Sequence, residues 1–280
     1  MSKFGIQSAS ELKDWLESQD ETLGELVLNR DIKIGMEAWR KKAMLQLVYF
    51  AVRARAETAR MILEFGKVPY LDRSVPEYFG GSRWPAVKSA GLTAFGQLPV
   101  LDIDGTQLSQ EAAINRYCAG LVPGLIPADP VQAALADSIY MAAEELAVSN
   151  PIVNVHRGEK FEEAKREFFG TFPRRLKNFG RLIRKTGGPY TMGAEPRYCD
   201  FKLYHHLSNA RSLEPTSLDG EEGVGAFMEA VEGLAGVKEY LTKRPVPIDI
   251  RVKPMLDPNV VGTRHEEKGE GGSSQKKQKV

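Results

Sequence analysis

The sequence predicts an α/β domain followed by an all-helical domain. Three observations carry that expectation. Residues 95–117, FGQLPVLDIDGTQLSQEAAINRY, read as a buried strand over 98–103, a turn at Asp104-Gly105, a short polar strand, and a helix starting near Gln110. Upstream, residues 45–50 form a first strand and 56–66 a helix ending at glycine, so the first domain reads strand, helix, strand, then strand, strand, helix. Downstream, Asp129-Pro130 opens the second domain, with aspartate as helix cap and proline at the first helical position. From there to about residue 245 the pattern is helical throughout.

Leu98-Pro99 stands at the head of an apolar strand, where proline is normally excluded because it has no N–H to donate. A cis X-Pro bond resolves the conflict by bending the chain and presenting its backbone to a ligand. The helix start beside it has free N–H groups and a dipole that favour negative charge. A proline next to such a helix start is how a thioredoxin-type fold holds a peptide-like ligand.

Composition sets the outer bounds. The 280 residues suffice for two domains with a substantial core. With 42% apolar residues and a net charge of +1, nothing suggests a nucleic-acid or membrane surface. Cys118 and Cys199 fit neither a metal pattern nor a disulfide framework and read as packed core thiols in a reducing compartment. No apolar run approaches a membrane span, and the first residues carry neither a hydrophobic signal segment nor a transit-peptide composition, which points to the cytoplasm. Residues 1–42 read as an extension containing an amphipathic stretch over 11–18. Residues 43–124 and 125–250 are the two domains, and 251–280 form a polar, basic tail expected to be disordered. Either end could hold a protein partner. The closing KKQKV could be a nuclear address, a phosphate-binding patch or a solvated end.

Several motifs in order carry a family resemblance over roughly residues 43 to 246. YFAVRARAETAR at 49–60 resembles the YFxxRGRAExxR of the glutathione transferases of the sigma-like class. Trp84 and Lys88 stand four apart, like that family's loop pair. Leu125-Ile126-Pro127 with Asp129-Pro130 is similar to its inter-domain linker. Phe172-Pro173, Gly187-Gly188-Pro189-Tyr190, Gly193 with Asp200, and Gly236-Val237-Lys238-Glu239-Tyr240-Leu241 follow in family order.

The resemblance implies a thioredoxin-like domain plus an all-α domain, glutathione as co-substrate with no metal, and a homodimer. Tyr49 would hydrogen-bond the glutathione sulfur and favour its thiolate. A free thiol titrates near 8.5, and lowering that by about two units requires roughly 2.7 kcal/mol. A hydroxyl donor to an anion, helped by a nearby charge such as Arg55, can supply this. Taken alone, Tyr49 would be ordinary β-packing. Trp84 and Lys88 would hold the glycine carboxylate. Gln97, Leu98 and Pro99 would form a backbone clamp, Leu98 pairing like an added strand. Gln110 and Glu111 would meet the γ-glutamyl end. Asp137 would reach across the dimer to the partner's ligand, or is a plain polar helix position. The thiolate would attack a small hydrophobic electrophile, in a pocket that could include Tyr140, Met141 and Glu144; isomerase or peroxidase chemistry would use the same thiolate.

Three departures from the pattern bear on function. Glu111 replaces a serine that donates to the ligand carboxylate. An ionised glutamate cannot donate, and at contact it would repel that carboxylate by roughly 4 kcal/mol at a dielectric of about 20. Ala54 replaces a glycine, and Arg197 replaces the Ser/Thr cap of the second-domain helix, a loss of about 1 kcal/mol. The alternative reading is therefore a non-catalytic binding or structural subunit of the same fold. The histidines, His156, His205, His206 and His265, show no metal spacing, and His205-His206 reads as a half-buried helix pair.

Overall fold

Leu45, Leu47 and Val48 leave water together because the strand that carries them is the second of four, covered on both edges. This computed structural model describes residues 44–147, 159–246 and 248. The expected amphipathic stretch over 11–18, the tail from 251, His156 and His265 fall outside them. The sheet runs β2-β1-β3-β4. Strand β1 (Leu45–Val48) pairs parallel with β2 (Tyr70–Arg73) and antiparallel with β3 (Val100–Ile103), which pairs antiparallel with β4 (Thr106–Ser109). In register, Leu47 faces Asp72 on one side and Leu101 on the other.

Helix α1 (Glu57–Phe65) makes the crossover that the parallel β1–β2 pair demands. Short helices α2 (Val75–Tyr78) and α3 (Trp84–Ser89) fill the connection to β3, and α4 (Glu111–Gly120) follows β4. The order of elements is the expected one, with shorter strands. The first strand stops at Val48 rather than 50, and the chain bends from Ala51 on toward the helix. The third starts at Val100 rather than 98, because Leu98-Pro99 is cis.

The second half is helical, as expected: α5 (Pro130–Ala143), α6 (Glu159–Thr186), α7 (Tyr198–Leu213), α8 (Val224–Glu232) and α9 (Val237–Lys243), with loops before α7 and α8. Asp129 caps α5 by accepting from Gln132 N at 2.8 Å, with Pro130 at the first position. Helix α7 is buried nearly all round and forms the centre of this half. Phe201, Leu203 and Leu207 are fully buried, each contributing about 1.5–3 kcal/mol. Its start lacks a Ser/Thr cap, as expected, but Asp200 accepts from Arg197 N at 2.7 Å, Thr191 N at 2.9 Å and Thr191 Oγ1 at 2.6 Å. Arg197 instead reaches the carbonyl of Gly124 in the linker. Both cysteines are buried, and burial pushes the Cys118 thiol up to about 12.

The two halves lock through α1 and α9. Tyr240 Oη donates to Glu57 Oε2 at 2.8 Å, and Arg244 sits 3.4 Å from the same carboxylate. Gly236 begins α9 with φ +84°, and a Cβ there would fall 2.3 Å from the carbonyl oxygen of Glu64. Only glycine permits both the turn and the approach. Among the described residues no helix is long and apolar enough to cross a membrane.

Candidate functional site

Three chain reversals converge at one end of the sheet: the turn after β1, the cis Leu98–Pro99 bond before β3, and the head of α4 after β4. They enclose a cavity of about 440 Å³. Tyr49, Arg55, Trp84, Lys88, Gln97, Leu98, Pro99, Gln110 and Glu111 all line it. Asp137 does not. It lies on α5, ion-paired to Arg116 at 2.7 Å and hydrogen-bonded by the Tyr198 hydroxyl.

Each lining residue has a local reason for its place. Tyr49 leaves β1 with its N–H bonded to Arg73 O at 3.0 Å, which keeps it in line with the strand. Its ring packs on Phe50, centroids 5.4 Å apart, and Phe50 meets Trp84 edge-on at 6.4 Å, so one aromatic wall runs from strand to loop. Trp84 heads α3 and Lys88 stands one turn on, its stem running beside Gly96. Ala54 carries φ +35°, so the left-handed conformation usual for glycine is kept by alanine. Gln110 precedes α4 with φ +74°, and its amide donates to Gln97 Oε1 at 3.0 Å.

Glu111 sits among cationic partners. Its side chain does not project as an isolated anion. It is only 9% exposed, Lys202 Nζ donates to Oε1 at 2.5 Å, and Arg55 lies 3.6 Å from Oε2. Burial pushes its carboxyl up, and Lys202 and Arg55 offset only part of that rise. Arg55 is correspondingly shared between Glu111 and the cavity.

The helical half supplies Glu144, Lys202, His205 and His206. Lys202, 2% exposed, also donates to Glu144 Oε2 at 2.5 Å, and its ammonium lies 5.4 Å from the Tyr140 ring centroid. His206 Nε2 sits 3.2 Å from the same Glu144 oxygen. Burial opposes ionisation of Glu144, but the His206 hydrogen bond and the Lys202 charge outweigh it and hold the carboxyl down to about 2. Burial, then Lys202, pushes His206 down to about 4, so at neutral pH a neutral ring donates Nε2–H to a carboxylate. His205 and His206 are thus fully buried at the cavity wall, not half-buried. Of the residues named for an electrophile pocket, Glu144 lines the cavity, Tyr140 is buried beside Lys202, and Met141 points to solvent.

A four-stranded sheet with a cis-proline loop, closed by an all-helical half over a shared cavity, defines a thioredoxin-like protein built to hold a peptide-like ligand. The chain belongs to the glutathione S-transferase family. It is 30% identical over 205 residues to glutathione S-transferase 1 of Ascaris suum, covering 71% of this chain and 96% of that one. It is 27% identical over 205 residues to the hematopoietic prostaglandin D synthase of Gallus gallus, covering 71% and 96%. A family model described as "Glutathione S-transferase, C-terminal domain" matches residues 148–244. The structure is similar to that of the glutathione S-transferase from Ascaris lumbricoides, with TM-score 0.64, 28% identity, and coverage of 74% of this chain and all of that one.

Proposed function

We propose that this chain is a glutathione transferase of the sigma-like class, with residues 43–124 as the glutathione-binding domain and 125–250 as the helical domain. The observation that carries the reading is the convergence of Tyr49, Trp84, Lys88, Leu98-Pro99 and Gln110 on one cavity. The donor set fits the co-substrate. Arg55, Lys88 and the head of α4 offer positive charge to its two carboxylates, and the Glu111 anion is answered by Lys202.

Glutathione supplies the nucleophilic sulfur. Tyr49 donates its hydroxyl hydrogen bond to that sulfur and lowers the thiol pKa, with Arg55 adding charge. Trp84 and Lys88 hold the glycine carboxylate. Gln97, Leu98 and Pro99 clamp the cysteinyl backbone, and Gln110 with the N–H groups at the head of α4 receives the γ-glutamyl end. In a homodimer Asp137 extends to the partner's ligand. The electrophile is a small apolar molecule entering between the halves, and the setting is cytoplasmic.

Titration calorimetry with reduced glutathione tests this. A dissociation constant between micromolar and low millimolar is expected. No binding at several millimolar would refute the assignment.

A further inference from the structure

We infer that Lys202, deep in the helical half, is a positioning residue for the ligand site of the α/β half: it holds and neutralises Glu111 so that an anion can be received at the head of α4. The inference rests on reading the cavity as the glutathione site.

A carboxylate at the first residue of α4 sits where a ligand carboxylate would otherwise meet the free N–H groups of the helix. Left alone it would repel that ligand. Lys202 reverses the situation from 91 residues away. Its ammonium bridges Glu111 Oε1 and Glu144 Oε2, both at 2.5 Å, and turns the Glu111 carboxylate into the interface between the halves. The charges close: Glu111 and Glu144 against Lys202 and Arg55, with His206 neutral. Arg55 cannot take over the task. Its side chain is 50% exposed and 3.6 Å away, so water screens it. Lys202 is not assigned to the reacting sulfur. It acts through Glu111.

Removing the ammonium should therefore harm ligand affinity in a way that pH can repair. The groups facing the Glu111 carboxylate are Lys202 from α7, Glu144 from the turn after α5, and Arg55 from the turn before α1; His206 and Tyr140 reach it through Glu144 and Lys202. In Lys202→Met the buried Glu111 loses its strongest cationic partner, and its pKa rises further. Protonation then removes the repulsion.

The test is calorimetry with S-methylglutathione, whose sulfur cannot ionise, between about pH 7.5 and 5.5, where a raised Glu111 pKa would show. Wild-type affinity should be nearly flat over this range. Lys202→Met should bind about tenfold more weakly at the upper pH and recover as pH falls, and Glu111→Gln/Lys202→Met should return to within about threefold of wild type. A folded Lys202→Met with unchanged, pH-independent affinity overturns the inference while leaving the glutathione assignment intact. If Lys202→Met does not fold, the double variant decides: near-wild-type affinity supports the role, and a loss of about tenfold or more refutes it. A wild type that binds no S-methylglutathione overturns both readings.

Discussion

The side-chain amide of Gln110 donates to Gln97 Oε1 at 3.0 Å, tying the head of α4 to the loop before β3 across the cavity. Gln110 makes this bond from φ +74°, ψ 120°, a conformation that favours glycine. Such a residue costs of order 1–3 kcal/mol, held in place by its surroundings. Gln110→Gly should therefore move stability and function in opposite directions. The melting temperature should rise by up to about 2–4 °C, for a net gain of at most about 1 kcal/mol after the extra entropy of glycine and the lost bond to Gln97. Glutathione affinity should fall about tenfold or more, the loss of a hydrogen bond to a charged group. Thermal unfolding and calorimetry on the same sample read both.

Tyr49→Phe removes the hydroxyl and keeps the packing against Phe50. Turnover with a chromogenic electrophile should fall by about 10²-fold if the thiol pKa returns toward 8.5, while glutathione affinity changes by less than about threefold. The pH at which the rate reaches half its plateau should rise by about two units. An unchanged rate removes Tyr49 from the mechanism.

Ala54→Gly should stabilise without a loss of activity. Ala54 holds φ +35°, and its N–H bonds Ile248 O at 2.8 Å, so the conformation is fixed by the chain around it. Relieving the Cβ contact is worth about 1 kcal/mol, partly offset by glycine entropy. A denaturant midpoint that falls would show that the turn is not strained.

Asp200→Ala leaves Thr191 N–H, Thr191 O–H and Arg197 N–H without their buried acceptor. The expected cost is about 3 kcal/mol or more, a drop of roughly 6–12 °C in melting temperature. Asp200→Asn should recover only part of it, because an amide oxygen accepts more weakly than a carboxylate.

Acid should destabilise the fold through its buried histidines. His206 takes up a proton near 6.5 when unfolded but resists until about 4 in the fold. Between those values the unfolded state binds more protons, so stability falls as pH falls, by about 3 kcal/mol across the full window. His205, also pushed down by burial, acts in the same direction. Glu144 adds stability above the ordinary carboxylate range that is lost only toward about pH 2. Melting temperatures at pH 7.5, 6.5 and 5.5 should decline, and His206→Gln should flatten that slope.

Much of this was legible because the motifs are local. Tyr49, Arg55, Trp84, Lys88, Leu98-Pro99 and Gln110 come from short runs whose turns and helix starts fix where they face. The buried charges were not legible. Lys202 reads as solvent-facing by default, and only the burial of α7 on every face forbids that. Its partners, Glu111 and Glu144, lie in other elements, Glu111 being 91 residues away. One signal was present: a lysine on one helical stripe with His205, His206 and Asn209, in a chain that also places a glutamate where the resemblance expects serine. Read together, the two departures are a pair.

Ala54 N–H ends on Ile248 O, and Arg53 Nε ends on Pro245 O at 2.8 Å, so the chain leaving α9 is fastened to the rim of the cavity. This has a practical meaning for anyone shortening or labelling the protein. A version cut at Arg244 deprives the Ala54 turn of its acceptor one residue from Arg55; one that keeps Ile248 preserves it. An affinity handle is better placed at the opposite terminus. An environment-sensitive dye attached at the exposed Val246, between Pro245 and Ile248, would instead report on that fastening.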